Sequence, residues 1–257
     1  MARRMLLWEA AVVCRSLEGK LRSTTTWTLT MVAAASELLG VGLYTPEEAS
    51  LYARVSTRML RRWLYGAKAG QAVIQPQLKA EQGQELVTFL DFVQAMAVRA
   101  VRLNHRVPLQ KIREAIDRAE NEYGVSYPFA RKHTTYLFDK DVIIKLGEEE
   151  YVQASGKAAR NRLIAKVVEL YMEDLGFNPE GLAEAYRAFV WGGYEVKMDP
   201  RVRFGEPLVT SCGYTARALW EARQSEGSFQ AAAEACGVRA EEVETACRYF
   251  DHILSAA

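Results

Sequence analysis

The chain has 257 residues, with 33 Lys and Arg against 32 Asp and Glu and a formal net charge of +1. Its residues are 49% hydrophobic and 25% charged, an ordinary globular balance that excludes wholesale disorder and fibrous repeats. No run approaches the roughly 18 to 20 apolar residues that a membrane-spanning helix needs. We therefore expect no membrane span and a cytoplasmic location.

Residue types that carry metal or redox chemistry are too scattered to define a site. The four cysteines form no CxxC pair, and no histidine has a cysteine or carboxylate at metal-ligand spacing. A metal-dependent nuclease would need carboxylates that converge from several elements, which spacing along one chain does not reveal. We assign no catalytic residue, no metal and no cofactor, and expect that the protein is not an enzyme.

The first structural elements follow residues 1–35, which we expect to be a weakly ordered tail. A hydroxyl N-cap followed by proline, Thr45-Pro46, predicts a helix start. Ser56 is the N-cap of a second helix, Thr57–Tyr65, which Gly66 ends. Two short helices this close together predict a helix-turn-helix.

Two short β-prone runs follow these helices. Ala72–Ile74 and Leu86–Phe89 lie among glycines and a proline, which predicts a hairpin, in other words a wing. The next elements are predicted from helical spacing or from β-prone composition: helices over 90–103 and from Pro108, strands at Thr134–Phe138 and Val142–Leu146, and an amphipathic helix at about 157–175.

The rest of the chain divides into a linker and a second unit. Residues 36–176 form the predicted winged helix-turn-helix domain, and the helix at about 157–175 is our candidate for a dimer contact. Glycines and prolines mark residues 177–194 as a linker. The unit at 195–257 starts extended and ends in helices at Thr215–Ser225, Ser228–Cys236 and Ala240–Leu254. The predicted fold class is mainly α, with small β-hairpins and a small C-terminal helix-turn-helix-like domain.

Basic residues concentrate in one part of the chain. Residues 49–113 hold eleven Lys and Arg against three Asp and Glu, a net charge of +8, which leaves −7 for everything else. No acid occurs at 49–80 or at 92–113. Because neutralised phosphates supply most non-specific affinity for DNA, this block is typical of a duplex-binding surface.

Arginines on the second helix are suited to both backbone and base contacts. Arg58, Arg61 and Arg62 lie at i, i+3 and i+4, so they share one face that could enter a major groove. Arginine also binds guanine through two hydrogen bonds. A plain solvated face is the alternative, although such faces usually mix signs. We expect DNA contacts from Arg54, Thr57, Arg58, Arg61, Arg62 and Lys68.

A second helix-turn-helix spacing occurs at Ser228–Phe250, but its charge has the opposite sign. Gly237 lies at the turn, and the last helix carries Glu241, Glu242, Glu244 and Asp251 against Arg248. Since phosphates repel an acidic helix, we expect this unit to contact protein, either a partner or a second copy.

Two family resemblances meet at these residues. Residues 43–123 resemble the MerR-type winged helix-turn-helix, in the stretches YTPEEASLYARVSTRMLRRWLYG and FLDFVQAMAVRAVRLNHRVPLQKIREAIDRAENEYGV. Residues 195–253 resemble a small antitoxin domain catalogued as a domain of unknown function. Its signatures here are Asp199-Pro200, Phe204-Gly205-x-Pro207, Gly213-x-Thr215 and Val243-x-x-Ala246. The chain departs from the patterns at Ser211-Cys212 and at Arg54, which stands where a turn glycine is usual.

The combination is similar to the larger VapB-type antitoxins. That resemblance implies a DNA-binding antitoxin of a type II toxin–antitoxin pair, which represses its own operon and neutralises a PIN-domain ribonuclease toxin. We also expect a homodimer, since two half-sites multiply the affinity for DNA. Its implied partners are operator double-stranded DNA and the toxin. One alternative is a stand-alone MerR-like transcription regulator or DNA-architecture protein without a toxin, and another is a pure protein-interaction scaffold. The residues expected at the partner contact are Phe204, Pro207, Glu241, Glu242 and Tyr249.

Overall fold

The structure is a computed structural model. Residues 1–35, expected to be a weakly ordered tail, lie outside its described part, as does most of the helix expected at about 157–175. The dimer contact proposed on that helix stays a prediction. The described residues are 38–66, 71–78, 85–104, 106–121, 124–132, 134–138, 141–145, 151–153 and 172–255.

Two capped helices open the N-terminal half, where the sequence predicts them. Helix α1 spans Pro46–Tyr52, and its N-cap Thr45 forms a capping box with Glu48. Helix α2 spans Thr57–Tyr65, with Ser56 as N-cap and Gly66 as the residue that ends it. Because each cap satisfies backbone N–H groups locally, both boundaries are readable from sequence.

Two further helices build the core of this half. Helix α3 spans Phe89–Arg99 and continues as a π-helical turn at Ala100–Asn104, and helix α4 spans Leu109–Asn121. Every residue of α3 up to Val98 is buried, so this helix lies inside the core rather than on its surface.

The described residues do not form the expected wing hairpin. Strand β2, Val87–Thr88, pairs antiparallel with strand β1, Gly42–Tyr44, and not with the run at Ala72–Ile74. That run is not a strand: the N–H groups of Val73 and Ile74 both donate to the carbonyl of Trp63, at 2.7 and 3.0 Å. Its β-prone side chains are buried, 3% and 0% exposed, so they are core residues.

Two separate sheets follow. A three-stranded antiparallel sheet contains β3, Thr134–Phe138, β4, Asp141–Lys145, and β5, Tyr151–Gln153. The sequence predicts the hairpin of β3 and β4. The larger sheet has five antiparallel strands in the order β10-β9-β8-β7-β6. These strands are β6 Leu175–Phe177, β7 Ala183–Trp191, β8 Tyr194–Met198, β9 Leu208–Val209 and β10 Tyr214–Thr215.

The five-stranded sheet corrects two expectations. The chain is not mainly α but combines helices with this sheet, and most of the segment 177–194, expected to be a linker, lies in its strands. The hairpin turn between β7 and β8 also lies in this segment: Gly192 and Gly193 have φ of 57° and 85°, as a tight hairpin turn requires. Leu175, expected to end a helix, begins β6.

Three helices complete the chain where the sequence predicts them. They are α5, Ala216–Glu226, α6, Phe229–Cys236, and α7, Ala240–Leu254. The turn between α6 and α7 is at Gly237, as expected, with φ of 67°. Helix α7 packs on α5, α6 and the five-stranded sheet. Within the described residues, no helix is long and apolar enough to cross a membrane.

The N-terminal helices and the C-terminal sheet share one core, and residues Leu39–Ala257 form one compact unit. The rings of Tyr44 and Phe92 are 5.6 Å apart, and Phe92 is 6.2 Å from Tyr186 on β7. The Tyr44 hydroxyl donates a buried hydrogen bond of 2.9 Å to the carbonyl of Gly205. These contacts join segments that the sequence analysis placed in different domains.

Gly205→Ala should destabilise the protein by about 2–4 kcal/mol, because Gly205 has φ of +76° and an added Cβ would overlap the Tyr44 hydroxyl. Urea denaturation measures this loss. In a Tyr44→Phe background the hydroxyl is absent, so the additional cost of Gly205→Ala should fall to about 1–2 kcal/mol, the backbone contribution. Strictly additive losses would contradict the contact.

Asp91 makes stability depend on pH, because burial raises the pKa of its carboxyl from 3.8 to about 6, against hydrogen bonds from Thr88 and Gln77 that lower it. The folded state therefore holds this proton more tightly than the unfolded state. Stability from this group should fall as pH rises from about 4 to 7. Asparagine does not titrate, so Asp91→Asn lacks this loss. The free energy of unfolding of the variant minus that of the wild type, from urea denaturation, should rise by about 2–3 kcal/mol over that pH range. If the free energy of unfolding changes equally with pH in the two proteins, the raised pKa of Asp91 is refuted.

Candidate functional site

Helix α2 presents its arginines on the face opposite the core. Leu60, Trp63 and Leu64 are at most 1% exposed and anchor the helix, whereas Arg58 and Arg62 are exposed. This division follows from helical spacing, because the buried residues occupy one side of the 3.6-residue turn. The structure thus keeps the predicted basic face accessible.

The three arginines of this face differ in their partners. Arg61 is held by two acids, with its Nη2 3.1 Å from Glu47 and its Nε 2.8 Å from Glu85. Arg58 and Arg62 make no ion pair with any of the described residues. The available positive charge on α2 therefore comes from these two side chains, and Arg61 serves to connect α2 with α1 and with residue 85.

Two other predicted DNA contacts have different outcomes. Thr57 is half-buried, and its Oγ1 lies 2.8 Å from the Oγ of Ser50, a contact that joins α2 to α1. Lys68 lies outside the described residues.

Arg54 is the turn residue between α1 and α2, and it does not lie on the basic face. Its φ is 55°, so the turn keeps the left-handed conformation in which a glycine is usual although an arginine stands there. Its Nη1 lies 2.7 Å from the Nε2 of His252 on α7, and its carbonyl accepts 3.1 Å from the Nε of Arg99. The structure therefore places this arginine toward the C-terminal half, and its expected contact with DNA stays a prediction.

His252 and Arg99 are the residues that sequence reasoning missed at this turn. His252 is 198 positions from Arg54, and no local sequence pattern predicts the contact. Burial lowers the pKa of the Arg99 guanidinium, and the charge of Arg54 lowers it further. Burial, Arg54 and Arg99 likewise lower the pKa of His252, so its imidazole is neutral at pH 7.

The five residues expected at a partner contact divide into exposed and buried groups. Phe204 and Glu241 are exposed. Tyr249 is 1% exposed, and its ring packs 6.1 Å from Phe189. Pro207 and Glu242 are also buried. As folded, these three side chains contribute to the core and not to an outer surface, which corrects that part of the prediction.

Glu242 has a structural role that charge counting could not show. One carboxylate oxygen accepts from the Ser211 hydroxyl at 2.5 Å, and the other accepts from the backbone N–H of Arg239 at 2.8 Å. It thereby caps α7 and fixes the loop before β10. Arg248 of the same helix pairs with Glu244 at 2.7 Å and stacks over Trp191, 3.9 Å from the ring centre. Burial of Glu242 therefore takes one of the acids of α7 off the surface of the helix.

The loop before β9 exposes large apolar side chains. Val202 and Phe204 are 44% and 54% exposed, and nearby along the chain Tyr214 is 40% exposed. Arg203 and Phe204 both have positive φ, 51° and 56°, a conformation that costs a non-glycine residue about 1–2 kcal/mol. Strained backbone of this kind is often found at functional sites, and here it exposes the Phe204 ring.

In the described part of the chain, no group of three or more His, Cys, Asp or Glu side chains is arranged to hold a metal ion.

Comparison with known proteins shows similarity to a relative and to a solved structure. No known family model matches the chain. It is similar to a Mycobacterium tuberculosis protein named "Putative antitoxin VapB45", with 24% identity over 233 residues, 80% of this chain and 92% of that protein. The crystal structure of Rv2018 from Mycobacterium tuberculosis matches 80% of this chain and 97% of that one, with a TM-score of 0.58 and 22% identity. The fold is thus shared across both halves.

Proposed function

We propose that this protein is a DNA-binding antitoxin of a type II toxin–antitoxin pair, and that it represses its own operon and neutralises a PIN-domain ribonuclease toxin. The observation that carries this proposal is the similarity to a protein named as an antitoxin, which extends over 92% of that protein's length. A regulator of this kind acts in the cytoplasm and catalyses no reaction.

DNA binding is assigned to helix α2, as in a MerR-like helix-turn-helix. On α2, Arg58 and Arg62 are exposed and have no acidic partner among the described residues, so they are free to neutralise phosphates. The helix itself contains no acid. A homodimer would present two such helices to two half-sites of an operator, which multiplies affinity.

Toxin binding is assigned to the loop around Phe204. Its exposed apolar side chains offer the kind of aromatic anchor that dominates binding energy at protein interfaces. Phe204 is 54% exposed, and Val202 beside it is 44% exposed. Glu241, at the exposed start of α7, supplies polar surface in the same half of the protein.

The alternative is a stand-alone regulator or DNA-architecture protein without a toxin. The burial of Pro207, Glu242 and Tyr249 favours this alternative, because it removes three of the five expected partner contacts. Both functions use α2 in the same way, so DNA binding alone does not separate them.

Replacing Arg58 and Arg62 together by alanine should weaken binding to a duplex from the chain's own promoter region. Each lost phosphate contact should lower the slope of log K against log salt by about 0.9. Fluorescence anisotropy at several salt concentrations measures both quantities. Arg203→Ala, which removes an exposed arginine outside α2, is the matched control and should leave the slope unchanged. A double variant with the wild-type slope would rule out α2 as the DNA contact.

Phe204→Ala should reduce capture of the protein encoded by the neighbouring reading frame by at least tenfold, because an aromatic anchor typically contributes 2 kcal/mol or more. Co-expression followed by affinity purification measures this. Leu254→Ala, at a residue of 49% exposure on α7, is the control and should retain capture. If the wild type captures no neighbour-encoded protein and still binds DNA, the stand-alone regulator replaces the antitoxin.

A further inference from the structure

A cavity of about 100 Å³ lies where the α1–α2 turn meets the C-terminal half. Its walls come from that turn, from α3, from β7 and from α7. An engineered cavity of about 150 Å³ can hold benzene, so this one has room for a ligand of about four to six heavy atoms. The polar side chains that line it are Tyr52, Arg54, Arg99, Tyr186, Tyr249 and His252.

The charges around this cavity are all of one sign. Arg54 and Arg99 both line it, and no acidic side chain does so among the described residues. Asp174, whose charge raises the pKa of Tyr186, is not in the wall and is held 2.8 Å from Arg187. Charges withdrawn from water are normally paired, and these two arginines are half-buried and share a cavity without a carboxylate, so the site favours an anion.

His252 does not supply the missing negative charge. Its imidazole can accept the 2.7 Å hydrogen bond from Arg54, but it carries no negative charge at any pH relevant to proteins. Burial and the two arginines lower its pKa, and Tyr186 and Tyr249 face the same space with raised pKa values, so both phenols stay protonated. The side chains around the cavity are thus cationic or neutral.

Two donors in the walls are buried without a partner in the described part of the chain. They are the Nε of Arg54 and the hydroxyl of Tyr249, whose side chain is 1% exposed. An unsatisfied buried donor costs about 1–3 kcal/mol, and native structures rarely leave two of them in one place. The cavity therefore combines excess donors and positive charge with a lack of acceptors.

We propose that this cavity binds a small oxyanion, either free phosphate or a short carboxylate. Arg54 and Arg99 supply its countercharge, and the Arg54 Nε and the Tyr249 hydroxyl donate to its oxygens. The proposal does not depend on the antitoxin role. Because Arg54 forms the α1–α2 turn and Tyr249 belongs to α7, the bound anion would connect this turn to the C-terminal half.

The test is thermal denaturation and isothermal titration calorimetry of the full chain after exhaustive dialysis, with sodium phosphate, sodium acetate or sodium chloride at matched ionic strength. Phosphate or acetate should raise Tm in a saturable manner, whereas chloride should not. A response to one of the two oxyanions assigns the ligand to that class. No saturable response to either would overturn the proposal, since general salting effects do not saturate at low concentration.

Two variants locate the site. Tyr249→Phe removes a donor that has no partner, so it should lower the affinity for the oxyanion about tenfold without lowering Tm in its absence. Arg54→Gly removes the charge and suits the positive φ, so it should fold and lose the response. Full retention of the response by both variants would refute the assignment. Its loss in Arg58→Ala with Arg62→Ala, rather than in the cavity variants, would place the anion on α2 and also refute it.

Discussion

The buried hydrogen bond between the Tyr44 hydroxyl and the Gly205 carbonyl is the contact on which the arrangement of the two halves depends. Both groups are removed from water, so each must find its partner or lose about 1–3 kcal/mol. Gly205 has a φ of +76°, where glycine is favoured, and an added Cβ would overlap the Tyr44 hydroxyl. In the same core Phe92 contacts Tyr186, so the five-stranded sheet packs on the helices that carry the basic surface.

Because the two halves share one core, Arg54 has two structural roles. Its backbone makes the turn between α1 and α2, and its side chain reaches α7. A glycine at this position would satisfy the turn alone at lower backbone cost. An arginine at this position gains a partner for its guanidinium, because His252 of α7 lies within hydrogen-bond distance. The departure from the usual turn residue is therefore explained by tertiary contact and not by the DNA surface.

The sequence predicted those features that rest on local chemistry. Thr45 and Ser56 mark helix starts because their hydroxyls accept from backbone groups three residues away. The α2 arginines were found because helical spacing separates an exposed face from a buried one. Predictions failed where the deciding partner is distant: Ile74 was β-prone but fills the core, and most of the predicted linker at 177–194 lies in strands of a sheet. Charge counting likewise missed the buried, capping role of Glu242.

The contact between Arg54 and His252 spans 198 positions of the chain. At a synthesis rate of about 5–20 residues per second, the ribosome makes the second partner roughly 10–40 s after the first. During that interval the α1–α2 turn has neither its histidine partner nor the α7 side chains that cover it. The N-terminal half thus acquires its final surroundings only when the last helix emerges, and its maturation is set by translation of the whole chain.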